Sequence, residues 1–368
     1  MRYRHTYIEK DLVLANSGTE VIDIRVKDPI TELLIQVYAL NHSSGNVQSP
    51  IARCVTKIEI VDGSDVLFSL SGQQAIALAY YDSGHMPARK IVELWGWSQV
   101  DHFPIRFGRY DGDLQLAFDP TKFTNPQLKI TWNLEAVNTI DVDGFASGTG
   151  RLTIIAKVME DAGGAATGFL MNKEHYAFTT ADSGDENIDL PTDYPYRKLL
   201  VRSYIAGSEM ASVITNLKIS VDQGRFIPFD LRAADLARMH ENIFGVARQE
   251  IAFLADHGDT RELWIDMELG AWGVLAGTPK YCMMLTDSWA ARVTLGLFDT
   301  GAVELTAVRG NIYVTGRCPE STFCYPFGRQ DIIEEAFNAP EFGSIRLVLA
   351  QDIADAAASV MLQQIRSY

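Results

Sequence analysis

The chain has 368 residues, 47% hydrophobic and 21% charged, with a formal net charge of -15. That is the balance of a soluble globular protein with room for two cores. Its acidity argues against a coat for nucleic acid, because such affinity comes mainly from Lys and Arg neutralising phosphates. No stretch approaches the ~18 apolar residues of a membrane span, and the start lacks the apolar core of a signal peptide, so folding in a cytoplasm is expected.

The first residues, Met1-Arg2-Tyr3-Arg4-His5, are mildly basic. A solvated terminus is the plain reading, and an arm facing an acidic lipid or genome surface is the functional one. Sliding the chain on itself then exposes an internal repeat, the signal that decides architecture. At an offset of 166, Ala15-Asn16-Ser17-Gly18-Thr19-Glu20-Val21-Ile22-Asp23 falls on Ala181-Asp182-Ser183-Gly184-Asp185-Glu186-Asn187-Ile188-Asp189, with six of nine positions identical. Pro29, Leu33, Leu34 and Tyr38 meet Pro195, Leu199, Leu200 and Tyr204 at the same offset. Val55–Ile60 answers Ile214–Ile219 at offset 159. At offset 161, Gly63, Phe68, Leu70 and Gly84 meet Gly224, Phe229, Leu231 and Gly245. Ile130-Thr131 answers Val293-Thr294, and Gly150, Leu152, Ile154 and Ala156 answer Gly310, Ile312, Val314 and Gly316. The shifts fall between blocks, where loops tolerate insertion.

Most blocks alternate apolar and polar residues, the period of a half-buried strand. Leu128, Ile130, Trp132 and Leu134 alternate with Lys129, Thr131 and Asn133. Turn signals recur at Asn16-Ser17-Gly18, Asp62-Gly63, Asp111-Gly112 and Asp143-Gly144, a spacing that suits a sandwich or barrel. One helix interrupts each copy. Ser71 with Gln74 three residues on is a capping-box pattern, and Gly84 closes the helix. In the second copy Asp230 is the expected cap, Leu236, Met239 and Ile243 the core stripe, and Gly245 the stop.

The expected fold is all-β: two tandem eight-stranded jelly rolls, each with a short helix. The first spans residues 1–161 and the second 169–320, joined by a small-residue linker at 162–168. Residues 321–368 are expected as an extension, with a strand at Ser344–Leu349 and a helix from Asp352 to Ile365. Cys54, Cys282, Cys318 and Cys324 form no CxxC pair and read as buried or semi-buried thiols, although Cys318 and Cys324 flank one loop and could meet.

This arrangement resembles the double jelly-roll major capsid proteins, the lineage of adenovirus hexon and of tailless icosahedral phages with an internal membrane. The resemblance is one of architecture and carries no catalytic signature. It implies a structural protein and not an enzyme, found in the virion and assembled in a host cytoplasm. It implies homotrimers with a pseudo-hexameric outline that tile an icosahedral shell. The implied partners are other copies, neighbouring capsomers, penton or minor capsid proteins and, in membrane-containing members, the internal membrane. No cofactor, metal or sequence-specific nucleic acid is implied.

The competing reading is a carbohydrate-binding or carbohydrate-active double jelly roll, lectin-like or a glycan amidase or hydrolase. A sugar-stacking platform would use Trp95-Gly96-Trp97 with Tyr80-Tyr81, although Trp and Tyr are also enriched between subunits. A metal-holding bicupin needs closely spaced histidines. His5, His42, His85, His102, His175, His240 and His257 are all too far apart in sequence. The acidic clusters Asp111-Gly112-Asp113, Asp141-Val142-Asp143-Gly144 and Asp182–Asp189 sit at turns, where Asp and Gly have ordinary roles. Neither a glycosidase pair nor a calcium loop is required to explain them.

Overall fold

The computed structural model describes residues 2–42, 49–93, 96–135, 144–160, 166–255, 260–264, 266–272, 282–287, 292–297 and 308–368. The first half runs β1 (Arg2–Val13), β2 (Ser17–Asp23), β3 (Ile30–Leu40), α1 (Ile51–Cys54), β4 (Val55–Asp62), β5 (Asp65–Leu70), α2 (Gly72–Ser83), β6 (Arg89–Glu93), β7 (Ser98–Arg106), β8 (Pro126–Asn133) and β9 (Arg151–Glu160). Strands β1-β9-β3-β7 form one sheet and β2-β8-β4-β5 the facing one. Alternation supplies the core between them. Leu33, Ile35, Val37 and Ala39 of β3 are buried, as are Leu128, Ile130 and Trp132 of β8.

The second half repeats the plan with β10 (Gly168–Thr179), β11 (Asp185–Leu190), β12 (Tyr196–Tyr204), α3 (Met210–Val213), β13 (Ile214–Val221), β14 (Phe226–Arg232) and α4 (Ala233–Phe244). An insertion follows, with β15 (Ala247–Ala255), β16 (Thr260–Trp264), β17 (Glu268–Trp272), β18 (Cys282–Asp287), β19 (Arg292–Leu297) and β20 (Val308–Arg317). The roll then closes with β21 (Thr322–Pro326), β22 (Ile345–Gln351) and β23 (Ala357–Ser367). Its sheets, β10-β23-β12-β21 and β11-β22-β13-β14, have the strand order of the first roll.

The C-terminal residues therefore belong to the second roll, and residues 321–368 are not an extension. The sequence blocks at Val293-Thr294 and Gly310–Gly316 lie in β19 and β20 of the insertion. The counterparts of β8 and β9 are β22 and β23. The expected helix from Asp352 is strand β23, paired along one edge to β10 and along the other to β12. It is buried on both faces from Ala358 to Ile365, so it shows no strand-like alternation. The earlier blocks correspond as expected. β4 and β13 each follow a one-turn helix, and β5 and β14 lead into α2 and α4.

Helix α2 has the expected capping box. The Gln74 amide donates to Ser71 Oγ at 3.3 Å, and the Ser71 amide donates to Gln74 Oε1 at 2.7 Å. Gly84 closes it in the left-handed region at φ 73°. Helix α4 departs from expectation. Asp230 stays in β14, where it accepts from Asn216 Nδ2 at 2.8 Å, and Arg232 occupies the cap position without a side-chain capping bond. Leu236 is buried, but Met239 and Ile243 are exposed. The face actually covered carries Ala233, Leu236, Ala237 and His240.

The two rolls stand side by side and point the same way. β10 pairs in parallel with β5, with Asn172 beside Phe68 and Lys173 beside Ser69. β15 pairs in parallel with β6. Arg2, Glu160, Gly168 and Ser367 gather at one end through β1/β9 and β10/β23 pairing. Both helices follow the opposite ends of β5 and β14, so the insertion rises from that second end. The hydrophobic core of the first roll runs on into Phe169, Met171, Leu200, Cys324 and Met361 of the second.

Candidate functional site: the junction and the outer edges

Helix α2 is wedged between the rolls, and buried charge surrounds both of its ends. At the C-terminal end, Asp82 accepts from Arg197 Nη1 at 2.9 Å, from Gln363 Nε2 at 3.2 Å and from the Lys198 ammonium. Lys198 Nζ also donates to the Tyr81 carbonyl at 2.9 Å. All three charged side chains are at most 5% exposed. Burial alone would raise the Asp82 carboxyl. Lys198 and Arg197 outweigh it and hold its pKa below the usual carboxylate value. Burial, with Arg197 close by, lowers Lys198 to about 8.

At the N-terminal end a second network reaches into the insertion. Arg89 pairs with Asp101 at 3.1 Å and also with Glu320. Arg53 pairs with Asp266 at 2.7 Å. Gln73 bridges Asp266 at 2.8 Å and Glu320 at 3.1 Å, and accepts from Arg202 Nη2 at 3.0 Å. Burial raises the Glu320 carboxyl against the opposing pull of Arg89. These contacts join residues of the first roll, the second roll and the insertion. Their chemistry is that of a lock, since each charge faces a protein partner.

His240 of α4 meets α2 across Tyr81, ring centroids 5.3 Å apart. Its Nε2 lies 2.6 Å from the Cys324 carbonyl, and its Nδ1 lies 3.2 Å from Cys318 Sγ. Burial lowers its pKa to about 4, which keeps the ring neutral. Cys54, Cys318 and Cys324 are free and buried. Burial pushes the Cys54 and Cys324 thiols up to about 12, away from the thiolate that reactive cysteines need. Cys318 and Cys324 thus meet around His240 without a bond between them. Cys282 has no described side chain.

The remaining singled-out residues are dispersed. His5, His42, His85 and His175 are exposed and His102 is half-buried. His257, Trp95, Asp141 and Asp143 lie outside the described residues. Among the described residues no three His, Cys, Asp or Glu side chains gather as a metal site. Asp113 organises its own turn. It takes a two-pronged bond from Arg109 at 2.7 and 2.9 Å, and backbone amides from Arg109, Gln115 and Leu116. Asp111 pairs with Lys157, and Ser183 lies in an exposed turn. The aromatic platform does not form as expected, because Tyr80 and Tyr81 are buried. Trp97 is exposed under the Lys90 ammonium, 5.5 Å from its ring. The N-terminal residues are no loose arm: Arg4, in β1, pairs with Asp28 at 3.0 Å and Glu160 at 2.8 Å.

The charged residues of the junction carry no signal in the sequence, and one of them stands apart. Glu268 of β17 is buried, and its Oε1 has no hydrogen-bond partner among the described residues. Burial, and then the like charge of Glu209, raise its pKa to about 7 against Arg317 and Arg238. A carboxyl raised on folding favours the native state most fully below its unfolded pKa of about 4.3, and that advantage is lost as pH rises to about 7. Glu268→Gln should therefore stabilise the protein by about 2–3 kcal/mol at pH 8 and by little at pH 4. Urea midpoints measured across that range check it, and parallel pH profiles for the two proteins would refute it.

Outside the junction, the two outermost lateral strands carry exposed apolar side chains. Tyr3, Tyr7 and Val13 on β1 are exposed, as are Phe226 and Ile227 on β14. Neither a family model nor a curated protein sequence matches the chain. Solved structures do. The chain aligns over 99% of its length with 96% of the major capsid protein of STIV, Sulfolobus turreted icosahedral virus, at TM-score 0.60 and 11% identity. It aligns over 99% with 93% of a chain of the PBCV-1 virus capsid, at TM-score 0.58 and 10% identity. Against the major capsid protein from bacteriophage PM2, the shares are 100% and 98%, with TM-score 0.55 and 10% identity. Likeness this complete at such low identity speaks for architecture: the chain has the double jelly-roll fold found in virus major capsid proteins.

Proposed function

We propose that this protein is a major capsid protein whose trimers form six-walled capsomers of an icosahedral shell. The observation that carries the reading is the whole-chain likeness, which takes in both rolls and almost the full length of each coat protein matched. The physics of the chain supports it. Two similar rolls stand parallel and are locked by buried charge, so one chain presents two like walls as a rigid tile. Three such chains supply six. In this reading the protein acts by contact and not by catalysis. Its partners are its own copies, neighbouring capsomers and other shell proteins at the vertices, and its place is the virion. The acidic body suits a shell that does not grip its genome directly.

Light scattering on the purified protein tests this. A homotrimer is expected, and concentrated samples should show lattices or cages with six-lobed units by negative-stain microscopy. A stable monomer at all concentrations would overturn the proposal. Glycan affinity in such a monomer would favour the carbohydrate reading instead.

A further inference from the structure

Among the described strands, the sheets of the two rolls meet through β5 and β10, and that contact is directional. The last strand of the first roll's inner sheet, β5, meets the first strand of the second roll, β10. The first roll thus offers its β5 edge and the second its β10 edge. A head-to-tail contact of this kind leaves one unused edge of each type, and repetition closes a ring when the rotation fits. The unused edges are β14, which corresponds to β5, and β1, which corresponds to β10. Among the described residues, each is terminal in its sheet and has a strand partner on one side only.

We infer that β1 of one copy pairs in parallel with β14 of the next, repeating between molecules the β10–β5 contact within each. This rests on the trimeric capsid reading and adds the surface and register by which copies join. The register follows from the duplication. Phe68 and Ser69 correspond to Phe229 and Asp230, because both strands pair identically with β4 and β13. Leu70 faces Ile58 as Leu231 faces Leu217, and Phe68 faces Ile60 as Phe229 faces Ile219. On the other side, Asn172 and Lys173 correspond to His5 and Thr6. The extra register shift in β1 lies beyond this segment, between Glu9 and Leu12, so His5 matches Asn172 and Thr6 matches Lys173. His5–Thr6 of one copy should therefore lie against Phe229–Asp230 of its neighbour.

Three further observations suit this contact. Tyr3 and Tyr7 on β1 and Phe226 and Ile227 on β14 are exposed on the two edges concerned, where subunit interfaces collect apolar and aromatic side chains. An open cleft of about 510 Å³ beside Tyr7 and Ile8, bounded by Val21 and Ile22, leaves room along the β1 edge. Pro228 removes one amide from β14 just before Phe229, which restricts pairing along that edge to a short stretch. The β10–β5 contact is equally short, two residue pairs. Bare edges invite unwanted pairing, and the ring would cover both.

Paired cysteines read the contact directly. Neighbouring strands lie about 4.8 Å apart, within disulfide range. Thr6→Cys combined with Asp230→Cys, and His5→Cys combined with Asp230→Cys, should under mild oxidation convert the monomer band to dimer and trimer bands on non-reducing gels. Each single variant should remain a monomer band. On the unmodified protein, hydrogen exchange should show residues 5–7 and 229–231 protected in the trimer and exchanging faster after dissociation. A trimer that neither pair cross-links, and whose β1 and β14 amides exchange alike before and after dissociation, overturns this contact and leaves the capsid reading standing. A chain that is monomeric before oxidation overturns both.

Discussion

Asp82→Ala should lower the unfolding free energy by about 3–5 kcal/mol, because it strands two buried cations. Arg197 and Lys198 both lose their carboxylate in a place where neither is more than 5% exposed. Water cannot replace it without opening the seam between the rolls. Lys198→Met should cost less, since Asp82 keeps Arg197 at 2.9 Å and Gln363 at 3.2 Å. The surface pair Arg346–Asp189 gives the contrast: its side chains are 53% and 76% exposed, and Asp189→Ala should leave the urea midpoint almost unchanged, because water screens an exposed pair. The pH dependence follows with its sign. Asp82 has a folded pKa below its ordinary value, so its contribution is present above the unfolded pKa, about 3.9, and is lost only as pH falls through the lower folded value. Lys198 acts in the other range. Its folded pKa of about 8 lies below the unfolded value, so its charging opposes folding at neutral pH. That penalty fades as pH rises from about 8 to about 10.4. Urea midpoints for the three variants check the order. Equal losses for Asp82→Ala and Asp189→Ala would mean that the junction does not lock the rolls.

That junction was invisible in the sequence, although most of the fold around it was not. The duplicated turns at Ser17-Gly18 and Ser183-Gly184, the strands from Val55 and Ile214, and the helix stops at Gly84 and Gly245 are set by local chemistry. They could be read from spacing alone. The end of the second roll could not. Alternation in Ile312 and Val314 records which face is buried, not which strand lies alongside. Two strands of the insertion therefore passed for the missing members of the repeat. β23 failed for the opposite reason. Its run of Ala, Ser, Met and Gln is covered on both faces, and Gln363 and Gln364 are buried because the junction and the Asp193 loop bind them. Such residues look helical when their partners are far away in sequence. The same distance hid the lock itself: Asp82 and Lys198 lie 116 positions apart, and nothing near either one announces the other. The stripe on α4 was misread because Met239 and Ile243 have helical spacing, yet the helix turns the small residues Ala233 and Ala237 towards the core.

Phe118→Ala should also cost about 3–5 kcal/mol, and it probes whether the two rolls melt as one body. Phe118 is fully buried in the connection between β7 and β8, at the end where the chain termini meet. Its ring stacks on Phe107 and Phe123, each with centroids 5.0 Å away, and takes the edge of Phe169 at 5.6 Å. Phe169 belongs to β10 of the second roll and in turn packs on Tyr368 at 5.7 Å. Tyr368 donates its hydroxyl to the Ala117 carbonyl at 2.6 Å. The cluster therefore pins the last residue of the second roll to the first roll, at the end opposite α2's insertion contacts. Removing the central ring leaves a cavity that neighbouring strands cannot close, because Phe118 exchanges two backbone bonds with Ile30, at 2.7 and 2.9 Å. If the rolls were independent bodies, the first would melt early and the second would keep its midpoint. The shared core argues otherwise, since Leu200 and Met361 pack with residues of the first roll. Calorimetry of Phe118→Ala should show one transition at lower temperature. Two resolved transitions would mean that the junction joins the rolls without coupling them, and the rigid tile that the proposed capsomer needs would be lost.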